Sequence, residues 1–292
     1  MKKSQLYPAI LITLFVLTSN IEIFPKVTAP PPPPIPTDYI ADIFPKNNNT
    51  NIHLLNASTT ITINATDFLN EIEVTFNGTY TLFNPGIPTN LTINLPFSIL
   101  FKVENTTFGV YVNDTQVPFE IATTTEENLT TMGVNLIYIF PYGNYLPITL
   151  ITSNIMLLEN STYIVKYQFN GIIPKPNGTR ALFYMLYSSY TSKFWKGNAT
   201  KRVEYIVFGR DPFFGIYTYG GDFEGLQQTL DFVGGKKFIC EWDNAQGNII
   251  AIEIIIDEST YFLPLGINNL NYLVYSIILA VIWVLIIKRK RK

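Results

Sequence analysis

From residue 71 the chain alternates apolar and polar side chains with a period of two. Glu71-Ile-Glu-Val-Thr-Phe76 is the clearest run, and Tyr80 and Leu82 resume it after Asn77-Gly78. Such alternation describes a strand with one face buried and one face wet. Asn90 to Leu95 sets Leu, Ile and Leu against Thr and Asn. Gly109 to Ile121 reads as a hairpin turning at Asn113-Asp114, because Asn and Asp tolerate the positive φ of a two-residue turn. Further strands are expected at Val134–Phe140, Thr162–Phe169, Arg202–Phe208, Lys236–Glu241 and Asn248–Ile256. The last two are joined by Asp243-Asn-Ala-Gln-Gly247, which has the composition of a hairpin loop. Ala181 to Tyr190 fits a helix or a strand, with aromatics at 184, 187 and 190. Short strands separated by turn signals predict a mainly β fold, a β-sandwich-like ectodomain. The folded part is expected over 52–262, with 201–262 as a candidate membrane-proximal subdomain. Pro30 to Pro34 and the Asn-rich stretch after it predict a linker over 30–51, stiff where the prolines are consecutive.

Two longer apolar stretches depart from this pattern. Leu270 to Ile287 is almost wholly apolar. Its 18 residues would span about 27 Å as a helix, close to a bilayer core. A C-terminal transmembrane helix is therefore expected over 268–287. It is followed directly by Lys288, Arg289, Lys290, Arg291 and Lys292, a basic tail that belongs in the cytoplasm. At the other end, Lys2 and Lys3 precede an apolar run from Ala9 to Leu17. Residues 1–29 thus read as a signal peptide or a signal anchor. Either reading places the middle of the chain outside the cell, facing the bilayer as partner.

Charge agrees with that topology. Seven of the 20 basic residues lie at the two ends, and the remaining 13 face 22 acids, a net charge of −9 for the middle. Only 14% of residues are charged, against roughly 25% in ordinary soluble domains. The overall charge of −2 excludes a globally basic nucleic-acid binder. One cysteine and one histidine exclude a disulfide framework and clustered Cys/His metal sites.

Eleven Asn-x-Ser/Thr tripeptides begin at Asn48, Asn56, Asn64, Asn77, Asn90, Asn105, Asn113, Asn128, Asn160, Asn177 and Asn198. Random placement would give about four, so the excess predicts N-glycosylation. None occurs after Lys201. That stretch is either a glycan-free face against membrane or partner, or an Asn-poor buried part of the fold.

Catalytic patterns are sparse. His53 is expected at the surface, and Cys240 in the core. Gly220 to Gly225 and Gly234-Gly235-Lys236-Lys237 lack the spacing of a phosphate loop and read as turns. Asp222, Glu224, Asp231, Glu241 and Asp243 are the acids from which a hydrolase site could be built. No cofactor is implied.

The whole layout resembles archaeal surface glycoproteins: a secretory signal, a Thr-type sequon-rich and cysteine-poor β ectodomain, one span and a short basic tail. The span and tail also resemble the sorting signals cut by archaeosortases, although Pro264-Leu-Gly-Ile267 lacks the expected motif. The two basic-flanked apolar ends, the sequons and the lack of a catalytic constellation point to a non-catalytic protein of the cell surface, engaged in binding, adhesion or assembly with other surface proteins or glycans. The alternatives are a membrane-anchored hydrolase and an accessory subunit of a membrane complex.

Overall fold

The computed structural model describes residues 38–47, 51–98, 107–124, 126–132, 148–174, 182–219, 224–243 and 249–257. The described residues belong to one compact unit. No helix among the described residues is long and apolar enough to cross a membrane. The expected signal (1–29), span (268–287), basic tail and strand Val134–Phe140 lie outside the described residues.

The fold is mainly β, built as two mixed sheets facing each other. The strands in chain order are β1 (Asp38–Ala41), β2 (Phe44–Pro45), β3 (His53–Asn64), β4 (Glu71–Asn84), β5 (Thr89–Ser98), β6 (Thr107–Val112), β7 (Thr115–Gln116), β8 (Phe119–Thr124), β9 (Ile148–Leu157), β10 (Ser161–Pro174), β11 (Leu182–Ser188), β12 (Thr200–Phe208), β13 (Phe213–Tyr219), β14 (Leu226–Phe232), β15 (Gly235–Asp243) and β16 (Ile249–Asp257). The first sheet runs β13-β16-β11-β1-β5-β9-β8, with β2 beside β5. The second runs β14-β15-β12-β3-β4-β10-β6-β7. Most pairs are antiparallel, but β1 lies parallel to β11 and β12 parallel to β3.

Period-two alternation sets the inner faces. Ala57, Ile61 and Ile63 of β3, Val74, Phe76 and Tyr80 of β4, and Val203, Tyr205 and Val207 of β12 are buried against Leu95 and Phe97 of β5, Ile151 and Ile155 of β9, and Ile252 and Ile254 of β16. Phe169 is the centre of an aromatic cluster. Its ring centroid lies 5.1 Å from Phe76, 5.2 Å from Phe97 and 5.5 Å from Phe108. Gly78 occupies an inward position of β4, where an added Cβ would sit 2.9 Å from the Phe76 and Tyr80 rings. Its missing side chain is what lets those two rings share the gap. A smaller cluster of Tyr39, Phe44, Ile148, Leu150 and Leu186 has the opposite phase, on the outer face of the first sheet. Leu129 of the helix α1 (Glu126–Thr131) and Phe194 of the 3-10 turn Tyr190–Phe194 pack onto it.

The structure corrects several expectations. The linker expected over 30–51 gives way to strand by Asp38, and Tyr39 to Phe44 is completely buried. Its proline-rich approach masks a short central strand that draws its pairing from β5 and β11. Nor do β12 to β16 form a separate subdomain over 201–262, because β12 pairs with β3 and β16 with β11. β15 and β16 do not pair as the hairpin expected around Asp243–Gly247 would require: β15 pairs with β14 and β12, whereas β16 belongs to the other sheet. The tight hairpin is β14–β15, where Phe232 opposes Gly235 and Gly234 has φ of 81°. Asn113-Asp114 does turn a hairpin, with φ of 48° and 64°. Its second arm stops at Gln116, and the chain then crosses to the first sheet as β8. The described part of the ambiguous segment, from Leu182 onward, is strand β11 running into the 3-10 turn.

Phe169→Ala should lower stability by about 3–5 kcal/mol, read as a reduced midpoint in chemical denaturation of the full chain. Phe213→Ala, at a side chain 60% exposed, should shift stability by less than about 0.5 kcal/mol. Equal effects would contradict this placement of the core.

Candidate functional site

The alternation of β12 carries a lysine into the apolar interlayer. Lys201 shares its phase with Val203, Tyr205 and Val207 and is 1% exposed. Opposite it, Asp42 follows β1 and is fully buried. Lys201 Nζ donates to Asp42 Oδ2, and the Tyr187 hydroxyl of β11 donates to Asp42 Oδ1. Thr59 of β3 lies 3.4 Å from the Tyr187 oxygen. The aspartate backbone is clamped at both ends. Its N–H donates to the Ser188 carbonyl at 3.1 Å, and its carbonyl accepts from Thr191 Oγ1 at 2.6 Å. The next carbonyl, of Ile43, accepts from Trp195 Nε1 at 2.9 Å. The pair thus joins the two sheets from within.

Burial dominates the proton equilibria of this cluster. Desolvation holds the Lys201 ammonium below its ordinary range, against the opposing pull of Asp42. Desolvation raises Tyr187 and Tyr80, and the Asp42 charge raises both further. Other tyrosines span the interlayer nearby. Tyr167 of β10 and Ser153 of β9 share a hydrogen bond of 2.6 Å, and the Tyr205 hydroxyl donates to the Ile252 carbonyl at 3.4 Å. Burial raises Tyr167, Tyr205 and Tyr39 as well.

Pairing places the sequons. At one end of the sandwich lie Asn64, Glu71, Pro174, Leu182, Phe208, Phe213 and Asp257, where β3, β10 and β12 finish and β4, β11 and β13 begin. Asn56, Asn90, Asn113, Asn160 and Asn198 are all exposed and lie at or near the other end. Asn77 is half-buried on the outer face of β4, and Asn128 is exposed on α1. Asn64 is half-buried, and its amide donates to Glu73 at 2.9 Å while its oxygen accepts from Thr66 Oγ1 at 2.7 Å. Asn48, Asn105 and Asn177 lie outside the described residues.

The sequon-free stretch is contiguous in space. β14, β15 and β12 form one edge of the second sheet, and β13 and β16 form an edge of the first. Phe214 of β13 stacks on Phe238 of β15 at 4.4 Å, which brings the two edges together as one flank. Its outer face carries an ion network. Arg202 holds Glu204 Oε1 through Nε at 2.9 Å and Glu241 through Nη1 at 3.0 Å, while Lys237 holds Glu204 Oε2 at 2.7 Å. Partial burial pushes Glu204 up, but its bonds to Lys237 and Arg202 prevail and leave it below the usual carboxylate range. Phe213, Leu226, Leu230 and Val233 are exposed along the same flank.

The acids considered for hydrolysis are not brought together. Glu241 is held by Arg202, Asp231 lies 3.7 Å from Lys236 near the β14–β15 turn, and Asp243 accepts from Thr200 at the far end of β15. Glu224 is exposed, and Asp222 lies outside the described residues. His53 is half-buried rather than exposed, because it packs edge-on against Phe83 at 6.1 Å. Cys240 is a core residue of β15, and burial pushes its thiol up to about 12. No group of three or more His, Cys, Asp or Glu that could hold a metal occurs among the described residues.

No protein-family model matches the chain, and no curated protein matches it. Among solved structures, it is similar to a candidate nutrient-binding protein of Legionella pneumophila, with a TM-score of 0.51 and 13% identity over 74% of this chain and 70% of the other. That likeness concerns the fold alone. Weaker likenesses are to a two-domain M1 zinc metallopeptidase (TM-score 0.34, 11% identity) and to leukotriene A4 hydrolase from Saccharomyces cerevisiae (TM-score 0.35, 9% identity). They cover 69% and 70% of this chain but only 42% and 29% of those proteins, and carry no argument about function.

The buried tyrosines give a pH prediction. Their folded pKa values lie above the unfolded value, so the stability they contribute is present below pH 10 and is lost as pH rises beyond it. Tyrosinate absorbance during an alkaline titration should therefore rise in two stages. Exposed tyrosines ionise first, and Tyr39, Tyr80, Tyr167, Tyr187 and Tyr205 ionise only with unfolding. A single gradual stage that completes before the fold is lost would contradict their burial.

Proposed function

We propose that this chain is a single-pass cell-surface glycoprotein, with its β-sandwich ectodomain outside and Lys288–Lys292 in the cytoplasm. It acts by binding, adhesion or surface assembly. The observation that carries this reading is the polarity of the sequons. Five exposed sequon asparagines gather at one end of the sandwich, and β16 finishes at the other. Beyond Asp257 the chain leads to the apolar stretch 268–287. Ten residues separate the two, a tether of at most about 36 Å. Glycans at the far end would then point away from the bilayer, and the strand leading to the anchor lies on the sequon-free flank.

A second reading, an accessory subunit of a membrane complex, draws on that flank. The outer edge strand β14 is exposed along its length and carries Leu226 and Leu230. An uncovered edge with apolar side chains can accept a strand from a partner. The hydrolase alternative has less support, because its acids are separately engaged.

Glycopeptide mapping of the protein from its native membrane should find glycans on Asn56, Asn90, Asn113, Asn160 and Asn198. Occupancy should be lower at Asn64, whose amide is already engaged. Protease applied to intact cells should remove the sequon-bearing region and spare the basic tail. An unmodified ectodomain, or one protected while the tail is digested, would overturn the reading. Mild crosslinking that captures a stoichiometric partner through β14 would favour the accessory subunit.

A further inference from the structure

We propose that Asp42 and Lys201 condense into an intramolecular amide that joins the two sheets covalently. The first ground is hydrogen-bond accounting. A lysine ammonium carries three donors, yet Lys201 meets one acceptor among the described residues, Asp42 Oδ2. Both side chains are sealed from water, at 1% and 0% exposure. A buried ion pair is well compensated only when its remaining protons and lone pairs find partners. An amide nitrogen keeps a single N–H and no charge, which suits this pocket better than an ammonium does.

The second ground is that the surroundings supply each part of the condensation. A proton passes from the Lys201 ammonium to the Asp42 carboxylate within their contact, giving an amine and a carboxylic acid. Burial already depresses the lysine's ionisation, which favours the amine. The Nζ lone pair attacks Cγ and the C–N bond forms. Negative charge develops on Oδ1, where the Tyr187 hydroxyl donates and stabilises it as an oxyanion-hole donor would. The Cγ–Oδ2 bond then breaks. Oδ2 leaves as water, carrying the acid's proton and one proton from the amine. The products are one amide and one water, and no oxidant, reductant or cofactor is required. Orientation comes from the clamps on Asp42, made by Ser188 and Thr191, and from the strand pairing of Lys201 between Ala57 and Trp242. Held contact of this kind replaces a bimolecular encounter.

The third ground is topological. The two residues are 159 positions apart, so the bond would close most of the sandwich into a loop. A cross-link over so long a loop restricts the unfolded chain strongly. With one cysteine, the chain has no disulfide of its own with which to do this.

The test is a peptide map of the denatured full chain, produced in a host that adds no N-glycans. Digestion with trypsin should leave the bond after Lys201 uncut. It should also yield one branched fragment, containing Asp42 and Lys201, lighter by one water than its two component peptides. The Asp42→Ala and Lys201→Ala chains should lack that fragment. If those variants do not fold, the wild-type map alone decides. Tyr187→Phe should leave a fraction of freshly made protein uncondensed. Cleavage after Lys201 with both peptides at full mass would overturn the proposal, and so would a lost water that maps to any other residue. Neither result depends on glycosylation or on membrane topology.

Discussion

Across the interlayer, apolar strand faces meet with tyrosine hydroxyls and one buried charge pair set among them. Everything else in the fold depends on keeping these faces in register, because a one-residue slip would turn every inward side chain outward. Apolar contact alone is non-directional. The directional contacts are Tyr167 with Ser153, Tyr205 with the Ile252 carbonyl, and the cluster of Lys201, Asp42 and Tyr187. Each joins a strand of one sheet to a strand or turn of the other. A buried hydroxyl or charge left without its partner costs more than a misplaced methyl group. These contacts therefore discriminate against slipped pairings that the leucines and isoleucines would tolerate.

The outer face of the second sheet meets water by other means. On β3 it presents Ser58, Thr60 and Thr62, which oppose Thr79, Asn77 and Thr75 of β4. Threonine suits the strand backbone and covers it with a small polar group. This patterning accounts for much of the low charge fraction. Acids and bases on that face concentrate on β12 and β15, where opposite signs are paired by Arg202, Glu204, Lys237 and Glu241. The sequons stop where that network begins, so solvation by glycans and solvation by ions would occupy different parts of one surface.

Strand content was legible because half-buried strands advertise themselves by alternation, as β4 and β12 do. Sheet membership was not. The residues around Asp243–Gly247 have hairpin composition, yet β15 pairs with β14 and β12 in the second sheet and β16 with β11 and β13 in the first. β1 was hidden by its length of four residues and by the prolines before it. The buried pair left a trace that strand reading passes over. Lys201 stands in phase with Val203, Tyr205 and Val207, and Asp42 interrupts an apolar run from Tyr39 to Phe44. A charged residue at an inward position of a strand pattern signals a buried charge. Its partner, 159 residues away, could be identified only once the topology had brought the two together.

That location bears on why an ion pair is tolerated in so apolar an interior. Replacing such a pair by hydrophobic residues is often neutral or favourable, and the neighbouring positions show that this interlayer accommodates apolar side chains readily. Conformational specificity accounts for one charged link between the sheets. It does not account for the two backbone clamps on Asp42 or for a hydroxyl aimed at Oδ1, since register needs only that the charges meet. Fixing both the carboxyl group and the donor beside it is what bond formation at Cγ requires. The same atoms thus serve first to choose the register of the sheets and then, by losing water, to make it permanent.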